Sequence, residues 1–156
     1  MKISFQYLPL NQLQLLHTLY SSINSDIRLV GGCVRDTLLS RPTWDIDLAT
    51  PLPPEIGMSL LKDQGIQVIP TGIRHGTFTA VIDHRPFEIT TLRRDIKTYG
   101  RHAKVIFDSD WLQDASRRDF TINGLYAHID DGTVEDYHHG IKDLFTGTIQ
   151  FIGHAH

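Results

Sequence analysis

The amino-acid sequence predicts an α/β fold, in which a mixed, mostly antiparallel sheet of about five strands is flanked by helices. After an initial helix, segments with strand and helix periodicity alternate in a β-α-β-α-β order up to about residue 70. Two later segments each contain a pair of alternating apolar and polar runs joined by a turn, the pattern of a β-hairpin. At 156 residues, 40% of them hydrophobic, the chain is long enough for one domain with a buried core.

The first helix is predicted over residues 9–24, where leucine and isoleucine recur at helical spacing and provide one apolar face for packing on the sheet. Another helix is predicted between the proline-rich residues 51–54 and Gly65, because proline is tolerated in a first turn and glycine ends helices. Its buried face is predicted to consist of Ile56, Leu60 and Leu61. The two hairpins are predicted at 71–93 and 125–137.

Composition excludes several classes of protein. The net charge of −3 lacks the basic excess of a typical nucleic-acid-binding domain, so attraction for RNA must come from local basic patches or from other segments. The single cysteine, Cys33, excludes an internal disulfide and fits a reducing compartment. There is no apolar run close to the roughly 20 residues of a membrane span, and the N-terminus lacks the layout of a signal peptide. We therefore expect a cytoplasmic protein without a membrane partner.

The most informative segment is 29–48, in which a strand ends at Gly31 and Gly32 and a later strand carries Asp45 and Asp47. Two glycines keep side chains away from the backbone, so a turn there can aim N–H groups at a polyphosphate. The two aspartates are two residues apart, which places both carboxylates on one side of a strand as hard oxygen donors suited to Mg²⁺. Each pattern alone is usually a turn or a solvated loop. Their combination favours a phosphate-binding turn beside a metal site.

Glu88 lies in the second strand of the first predicted hairpin, on the face opposite Phe87 and Ile89. If this strand pairs beside the strand of Asp45 and Asp47, Glu88 adds a third carboxylate to the metal site. Otherwise it is a solvent-facing residue of a strand.

A second polar motif occupies residues 114–125. Asp114 is predicted to cap a helix that Phe120, with Ile122 or Leu125, anchors to the sheet. Within the motif, Arg118 can clamp a triphosphate or hydrogen-bond a ribose, and Asp119 can accept a hydrogen bond from a ribose hydroxyl.

The segment 94–110 is polar, has no clear period and is predicted to be irregular. A mobile surface loop and a lid over the site both fit this composition. Its basic and aromatic residues suit contact with RNA phosphates and bases. With the preceding Arg93, they are Arg94, Lys97, Tyr99, Arg101, His102 and Lys104.

Together, these motifs resemble the head domain of the class II tRNA nucleotidyltransferase and bacterial poly(A) polymerase family. The resemblance rests on Gly-Gly-Cys-Val-Arg-Asp at 31–36, Asp-x-Asp at 45–47 and Arg-Arg-Asp-Phe-Thr-Ile-Asn at 117–123. Segments 71–77 and 88–93 are also similar to the family, and the likeness extends nearly to the end of the chain. Gly124 stands where the family has alanine, and His138 and His139 depart from a pattern that ends in Gly-Gly. Adjacent histidines point apart on an extended chain, which disfavours a zinc site at that position.

The resemblance implies transfer of nucleotides from CTP and ATP to an RNA 3′-hydroxyl, preferably as CCA addition to, or repair of, the tRNA 3′ end. It implies catalysis by Asp45, Asp47 and Glu88, with Mg²⁺ held by Asp45 and Asp47, and a lid formed by 94–110. The residues that it implies for nucleotide binding are Gly31, Gly32, Arg35, Asp36, Arg118, Asp119 and Asn123.

Two alternatives remain open: a poly(A) polymerase head domain, and a non-catalytic nucleotide- or RNA-binding module that needs a partner. In the family, a helical neck that reads the incoming base follows the head, and nothing in this sequence matches it. We therefore expect residues 1–156 to be a nucleotidyltransferase head domain, with neck, body and tail outside this chain or supplied by a partner chain.

Overall fold

A computed structural model describes residues 1–23, 25–43, 45–97, 103–107 and 109–153. The α-helices in these ranges are α1 (Leu10–Ile23), α2 (Gly32–Leu38), α3 (Pro54–Asp63), α4 (Trp111–Ser116) and α5 (Gly140–Thr146). The strands are β1 (Arg28–Val30), β2 (Asp47–Thr50), β3 (Gln67–Gly72), β4 (Thr77–Ile82), β5 (Arg85–Thr91), β6 (Arg93–Lys97), β7 (Ala103–Phe107), β8 (Leu125–His128) and β9 (Val134–Asp136). Short 3-10 helices occur at Phe5–Tyr7, Ile73–His75 and Thr121–Asn123.

The main sheet has the strand order β3-β4-β5-β2-β1-β8-β9 in the described part of the chain. Only β2 and β5 pair in parallel, and the other neighbours are antiparallel. The predicted α/β architecture with a mostly antiparallel sheet is therefore confirmed. The sheet is larger than the predicted five strands, because β3 pairs with β4 at one edge and the hairpin β8–β9 joins β1 at the other.

The two faces of the sheet are covered unequally. On one face, Leu48, Ile89 and neighbouring apolar residues form the main core with α1, α2 and α3. On the opposite face, α4 packs Trp111 and Ala115 against Tyr126 and the adjacent strands, as a smaller core. Helix α4 and Ala49 of β2 belong to this smaller core, whereas Asp47 at the start of β2 and Glu88 in β5 remain exposed.

Helix α1 presents the predicted apolar face, since Leu16, Leu19 and Ile23 are fully buried. The predicted face of α3 is partly wrong, because Ile56 is 50% exposed. Gly57 lies on the buried side instead, and a Cβ there would stand 2.7 Å from the Phe78 ring. Without a side chain at this position, the ring packs directly on the helix backbone, which turns Ile56 towards solvent.

The segment 94–110 is not wholly irregular. Residues of β6 and β7 pair antiparallel from Arg93↔Phe107 to Lys97↔Ala103 and form a two-stranded ribbon separate from the main sheet. The backbone groups of each strand therefore find their partners in the other, although β6 is polar and lacks an alternating apolar pattern. Residues 98–102, including Tyr99, Arg101 and His102 of the predicted lid, lie outside the described residues.

The second polar motif also differs from its prediction. Asp110, not Asp114, caps α4, since its Oδ1 accepts hydrogen bonds from the backbone N–H groups of Leu112 and Gln113. Asp114 lies inside the helix and is only 1% exposed. Because α4 ends at Ser116, Phe120 does not anchor it and packs against Phe151, with ring centroids 4.8 Å apart. No helix in the described ranges is long and apolar enough to cross a membrane.

Candidate active site

The predicted carboxylates come together on the accessible face of the sheet. Asp47 and Glu88 stand directly opposite each other in the parallel β2–β5 ladder, so their side chains share one face. Thr79 stands beside Glu88 on the next strand. Both aspartates were predicted to lie in one strand, but Asp45 precedes the first residue of β2; it nevertheless lines one cleft together with Asp47, Thr79 and Glu88. Glu88 was expected to join the carboxylates only if its strand pairs beside that of Asp47, and the structure shows this pairing.

Electrostatics set Asp47 apart from an ordinary surface aspartate. Partial burial of the carboxylate and the nearby negative charge of Asp45 raise the pKa of Asp47, although the positive charge of Arg118 opposes the shift. Two carboxylates that repel each other in a partly desolvated cleft favour the binding of a proton or a cation.

The donor set suits a hard divalent cation. Asp45, Asp47 and Glu88 are exposed to a common cleft and offer carboxylate oxygens, which Mg²⁺ and similar ions prefer. Within the described ranges, however, no three His, Cys, Asp or Glu side chains already stand close enough to enclose a metal ion. An ion at this site would therefore take only part of its coordination from the protein and the rest from water or from a bound phosphate group.

The Gly-Gly turn lies next to the carboxylates. Gly31 has φ +77°, a conformation that favours glycine, and its carbonyl accepts the first hydrogen bonds of α2 from Val34 and Arg35. Gly31 lines a cleft that also contains Asp47 and Glu88. Gly32 lines a neighbouring cleft with Asp45 and Asp47. Both glycines therefore lie beside the carboxylates, as predicted, in clefts that also contain Asp47.

Arg118 is held on the other side of this cleft by Asp114, which was predicted only as a helix cap, and by Tyr126, for which the sequence predicted no role. Its Nη2 donates to Asp114 Oδ2 at 3.1 Å, and its Nε donates to the Tyr126 hydroxyl at 3.2 Å. The guanidinium also lies 5.6 Å from the centre of the Tyr126 ring. Arg118 lines the same cleft as Gly31, Asp47 and Glu88, together with Arg93 and Arg117. One signal could have revealed the role of Asp114, namely its i,i+4 spacing to Arg118.

Arg35 joins the two sequence motifs. Its Nε donates to Asp36 Oδ1 at 3.1 Å, and its Nη1 donates to Asn123 Oδ1 at 2.8 Å. Arg35 and Asp36 line the cleft that contains Asp45 and Asp47. Asn123, predicted to bind the nucleotide, therefore holds an arginine of the site through its carbonyl oxygen.

Asp119 stands apart from the other predicted residues. It is exposed, and its Oδ1 accepts a hydrogen bond from the backbone N–H of Phe120 at 2.7 Å. It is not among the residues that line the three clefts at Asp47. Its contact with a ribose remains a prediction.

His138 and His139 are the residues at which the chain departs from the family pattern, and the structure shows the conformation of His139. It adopts φ +60° immediately before α5, where the pattern has glycine, so the backbone keeps a left-handed conformation despite the side chain. His138 Nε2 lies 3.2 Å from Ser116 Oγ. No described His or Cys groups with carboxylates around either histidine into a metal site.

A Gly-Gly turn, a carboxylate pair on neighbouring parallel strands and an arginine across the cleft are the kinds of group that chemistry on phosphate esters uses. The chain belongs to the poly A polymerase head domain family, whose model matches residues 27–150.

Among curated relatives, the human mitochondrial CCA tRNA nucleotidyltransferase 1 is 43% identical over 152 residues, which are 97% of this chain and 35% of that protein. The CCA-adding enzyme of Lactobacillus delbrueckii is 41% identical over 128 residues, which are 81% of this chain and 31% of that enzyme. This chain thus spans about a third of the length of these relatives.

Solved structures show the same likeness. The Bacillus stearothermophilus CCA-adding enzyme in complex with CTP superposes with a TM-score of 0.75 at 31% identity, over 98% of this chain and 34% of that one. A tRNA nucleotidyltransferase complexed with a primer tRNA and an incoming ATP analog gives a TM-score of 0.66 at 29% identity, over 87% of this chain and 38% of that one.

Proposed function

We propose that this chain is the catalytic part of an enzyme that adds nucleotides from CTP and ATP to an RNA 3′-hydroxyl, with the tRNA CCA end as the product. One observation carries the proposal: Asp47 and Glu88 face each other across parallel strands, with Asp45 lining one adjoining cleft and Arg118 another. This arrangement places negative charge for a cation beside positive charge for a triphosphate, as nucleotidyl transfer requires.

Each group has a defined task in this reaction. Asp45 and Asp47 would hold Mg²⁺, with Glu88 completing the carboxylate set. Bound Mg²⁺ would neutralise charge on the triphosphate and lower the pKa of the attacking hydroxyl.

The remaining groups would bind and orient the nucleotide, because phosphate transfer depends largely on positioning and charge neutralisation. The backbone at Gly31 and Gly32 would approach the phosphates without hindrance from a side chain. Arg35, kept in place by Asp36 and Asn123, and Arg118 would neutralise phosphate charge on two sides. Contact of Asp119 with the ribose belongs to the same proposal.

CCA addition is preferred because the relatives named above are CCA-adding enzymes over the same residues. The description of the matching family supports poly(A) synthesis as a second candidate. A binding module without turnover is the third, because this chain covers only a third of its relatives.

The test is nucleotide incorporation by the purified chain. The substrates are tRNA transcripts that lack CCA, end in CC, or carry the complete CCA end, each with Mg²⁺ and a single NTP. We expect C addition to the first transcript, A addition to the second and none to the third. Asp45→Ala and Asp47→Ala should each lower the rate about 100-fold or more, because each removes a cation ligand without disturbing the core.

The outcomes separate the candidates. Continued A addition without a stop indicates poly(A) synthesis. Binding of NTP that depends on Mg²⁺ and on Asp47, without incorporation, indicates a binding module or a requirement for a further segment. Near-normal turnover by Asp47→Ala, or no NTP binding by the wild-type chain, contradicts the proposal.

A further inference from the structure

Asp114 is a buried charge next to the site, and it has no place in the function described so far. Its carboxylate is 1% exposed and lies between α4, β6 and β8. Oδ1 accepts hydrogen bonds from the backbone N–H of Arg93 at 3.0 Å and from Arg117 Nε and Nη2, each at 3.2 Å. Oδ2 accepts from Arg118 Nη2 at 3.1 Å and from the Tyr126 hydroxyl at 2.6 Å. Both oxygens are therefore fully engaged by donors.

These donors keep Asp114 ionised. Burial alone would raise the pKa of the carboxyl, but the charges of Arg118 and Arg117 and the hydrogen bond from Tyr126 hold it below its ordinary value. A charged group this deeply buried is tolerated only when it is paired and hydrogen-bonded. Losing the charge would leave two guanidinium groups without their shared partner.

The hydrogen bonds to Asp114 and Tyr126 fix the orientation of the Arg118 side chain. An arginine side chain on a surface samples many rotamers, and ordering it costs conformational entropy. Here Asp114 holds Nη2 and Tyr126 holds Nε, so the plane of the guanidinium is set from two directions. Among the described residues Nη1 has no hydrogen-bond acceptor, and Arg118 lines the cleft that also contains Asp47 and Glu88.

Tyr126 is itself firmly held. Its ring packs edge-on against Trp111 at 5.1 Å and against Tyr137 at 5.9 Å between centroids, and the residue is fully buried. Its hydroxyl accepts from Arg118 and donates to Asp114, which closes a three-membered network. The position of Arg118 is thus tied to the rigid core of the sheet and not to the surface of α4.

We propose that Asp114, supported by Tyr126, is a positioning residue that preorders Arg118 for a nucleoside triphosphate. The inference rests on the proposed function, because it assigns the arginine to a triphosphate. The same carboxylate fixes the backbone where β6 begins, so Arg118 and the base of the β6–β7 ribbon share one anchor. Preordering removes an entropic cost that would otherwise be subtracted from binding.

The test is a double-mutant cycle on CTP affinity in the presence of Mg²⁺, measured by calorimetry on folded protein. The variants are Asp114→Asn, Arg118→Ala and the combination of the two. Arg118→Ala should weaken CTP binding about tenfold or more, because a charge-assisted contact is lost. Asp114→Asn should cause a loss of similar size. The double variant should bind no worse than Arg118→Ala if the effect of Asp114 on CTP is exerted through Arg118 and not through Arg93 or Arg117, which it also contacts.

Two further variants separate positioning from stability. Tyr126→Phe removes a single hydroxyl, leaves the carboxylate in place and should weaken CTP binding about threefold, so it serves if Asp114→Asn does not fold. Asp110→Ala removes the cap of the same helix without touching Arg118, and should lower the melting temperature while CTP affinity stays at the wild-type value.

Several results would overturn the inference. They are wild-type CTP affinity in both Asp114→Asn and Tyr126→Phe, additive losses in the double variant, or an equal loss of affinity in Asp110→Ala. If Arg118→Ala loses affinity and Asp114→Asn does not, the proposed function stands and the positioning role fails. If the wild-type chain binds no CTP, the proposed function fails and this inference fails with it.

Discussion

Asp47 shows how a residue of the candidate active site can oppose stability. Its pKa is raised, so the folded protein holds the proton more tightly than the unfolded chain does, and the ionised carboxylate disfavours the folded state. Stability from this group is therefore lost as pH rises through the raised pKa. Asp47→Asn should melt at a higher temperature than the wild type at pH 7 without Mg²⁺, even though it loses activity. The difference should shrink when Mg²⁺ is added or when pH is lowered to about 4.

Thermal unfolding at several pH values, with and without Mg²⁺, checks this prediction. Asp83→Asn is the matched control, because it removes the same charge from an exposed turn away from the site. A melting temperature of Asp47→Asn at or below that of the wild type at pH 7 would show that the carboxylates are not in conflict.

Helix α5 packs against the 3-10 helix Thr121–Asn123, and Asn123 in turn accepts a hydrogen bond from Arg35. A Cβ at Gly140, the first residue of α5, would overlap the carbonyl oxygen of Thr121. The Thr121 hydroxyl donates to the buried Asp143 at 2.6 Å, and Asp136 accepts from the N–H groups of Gly140 and Ile141. The backbone of α5 thus lies directly against the segment that presents Asn123.

Gly140→Ala should therefore lower the free energy of unfolding by about 1–3 kcal/mol, because α5 must move away from a rigid carbonyl group. Urea unfolding measures this change. Lys142→Ala, an exposed residue of the same helix, should change stability by less than about 0.5 kcal/mol. Equal stability of the two variants would mean that the close approach of α5 is dispensable.

The acid stability of the whole domain should depend on Asp114. Its pKa is lowered, so its contribution is present above the ordinary aspartate value and is lost as pH falls through the lower pKa of the folded state. Because the carboxylate joins α4, β6 and β8, its protonation loosens three elements together. This window lies below about pH 4, whereas the effect of Asp47 lies above it.

Unfolding free energies measured between pH 3 and pH 6 test this expectation. Asp114→Asn should be less stable than the wild type at pH 6 by about 3 kcal/mol, because one partner of a buried pair is lost. The two curves should converge as the pH falls. Curves that stay parallel over this range would assign the acid sensitivity to other groups.

Local sequence was sufficient for most elements of this chain. The spacing of Leu16, Leu19 and Ile23 predicted a helix, and the alternation around residues 83–86 predicted a hairpin, because both patterns reflect contacts within a few residues. The first polar motif also identified residues that line the adjoining clefts at Asp47. These include Gly31 and Gly32 at a turn, Asp47 at the start of β2 and Asp45 just before it.

Contacts between segments that are distant in the sequence could not be predicted from local patterns. The pairing of Asp47 with Glu88 depends on the parallel register of β2 and β5, and the bond from Arg35 to Asn123 spans 88 residues. Asp114 was predicted as a helix cap because aspartate is a preferred capping residue, and Asp110, four residues earlier, is of the same type. Only the packing of α4 against Tyr126 brings the donors that draw Asp114 inside. The residue types in the sequence thus indicated the chemistry of the site. The distances between these residues, and the pKa shifts of their side chains, depend on burial and strand register, which arise only when the chain has folded.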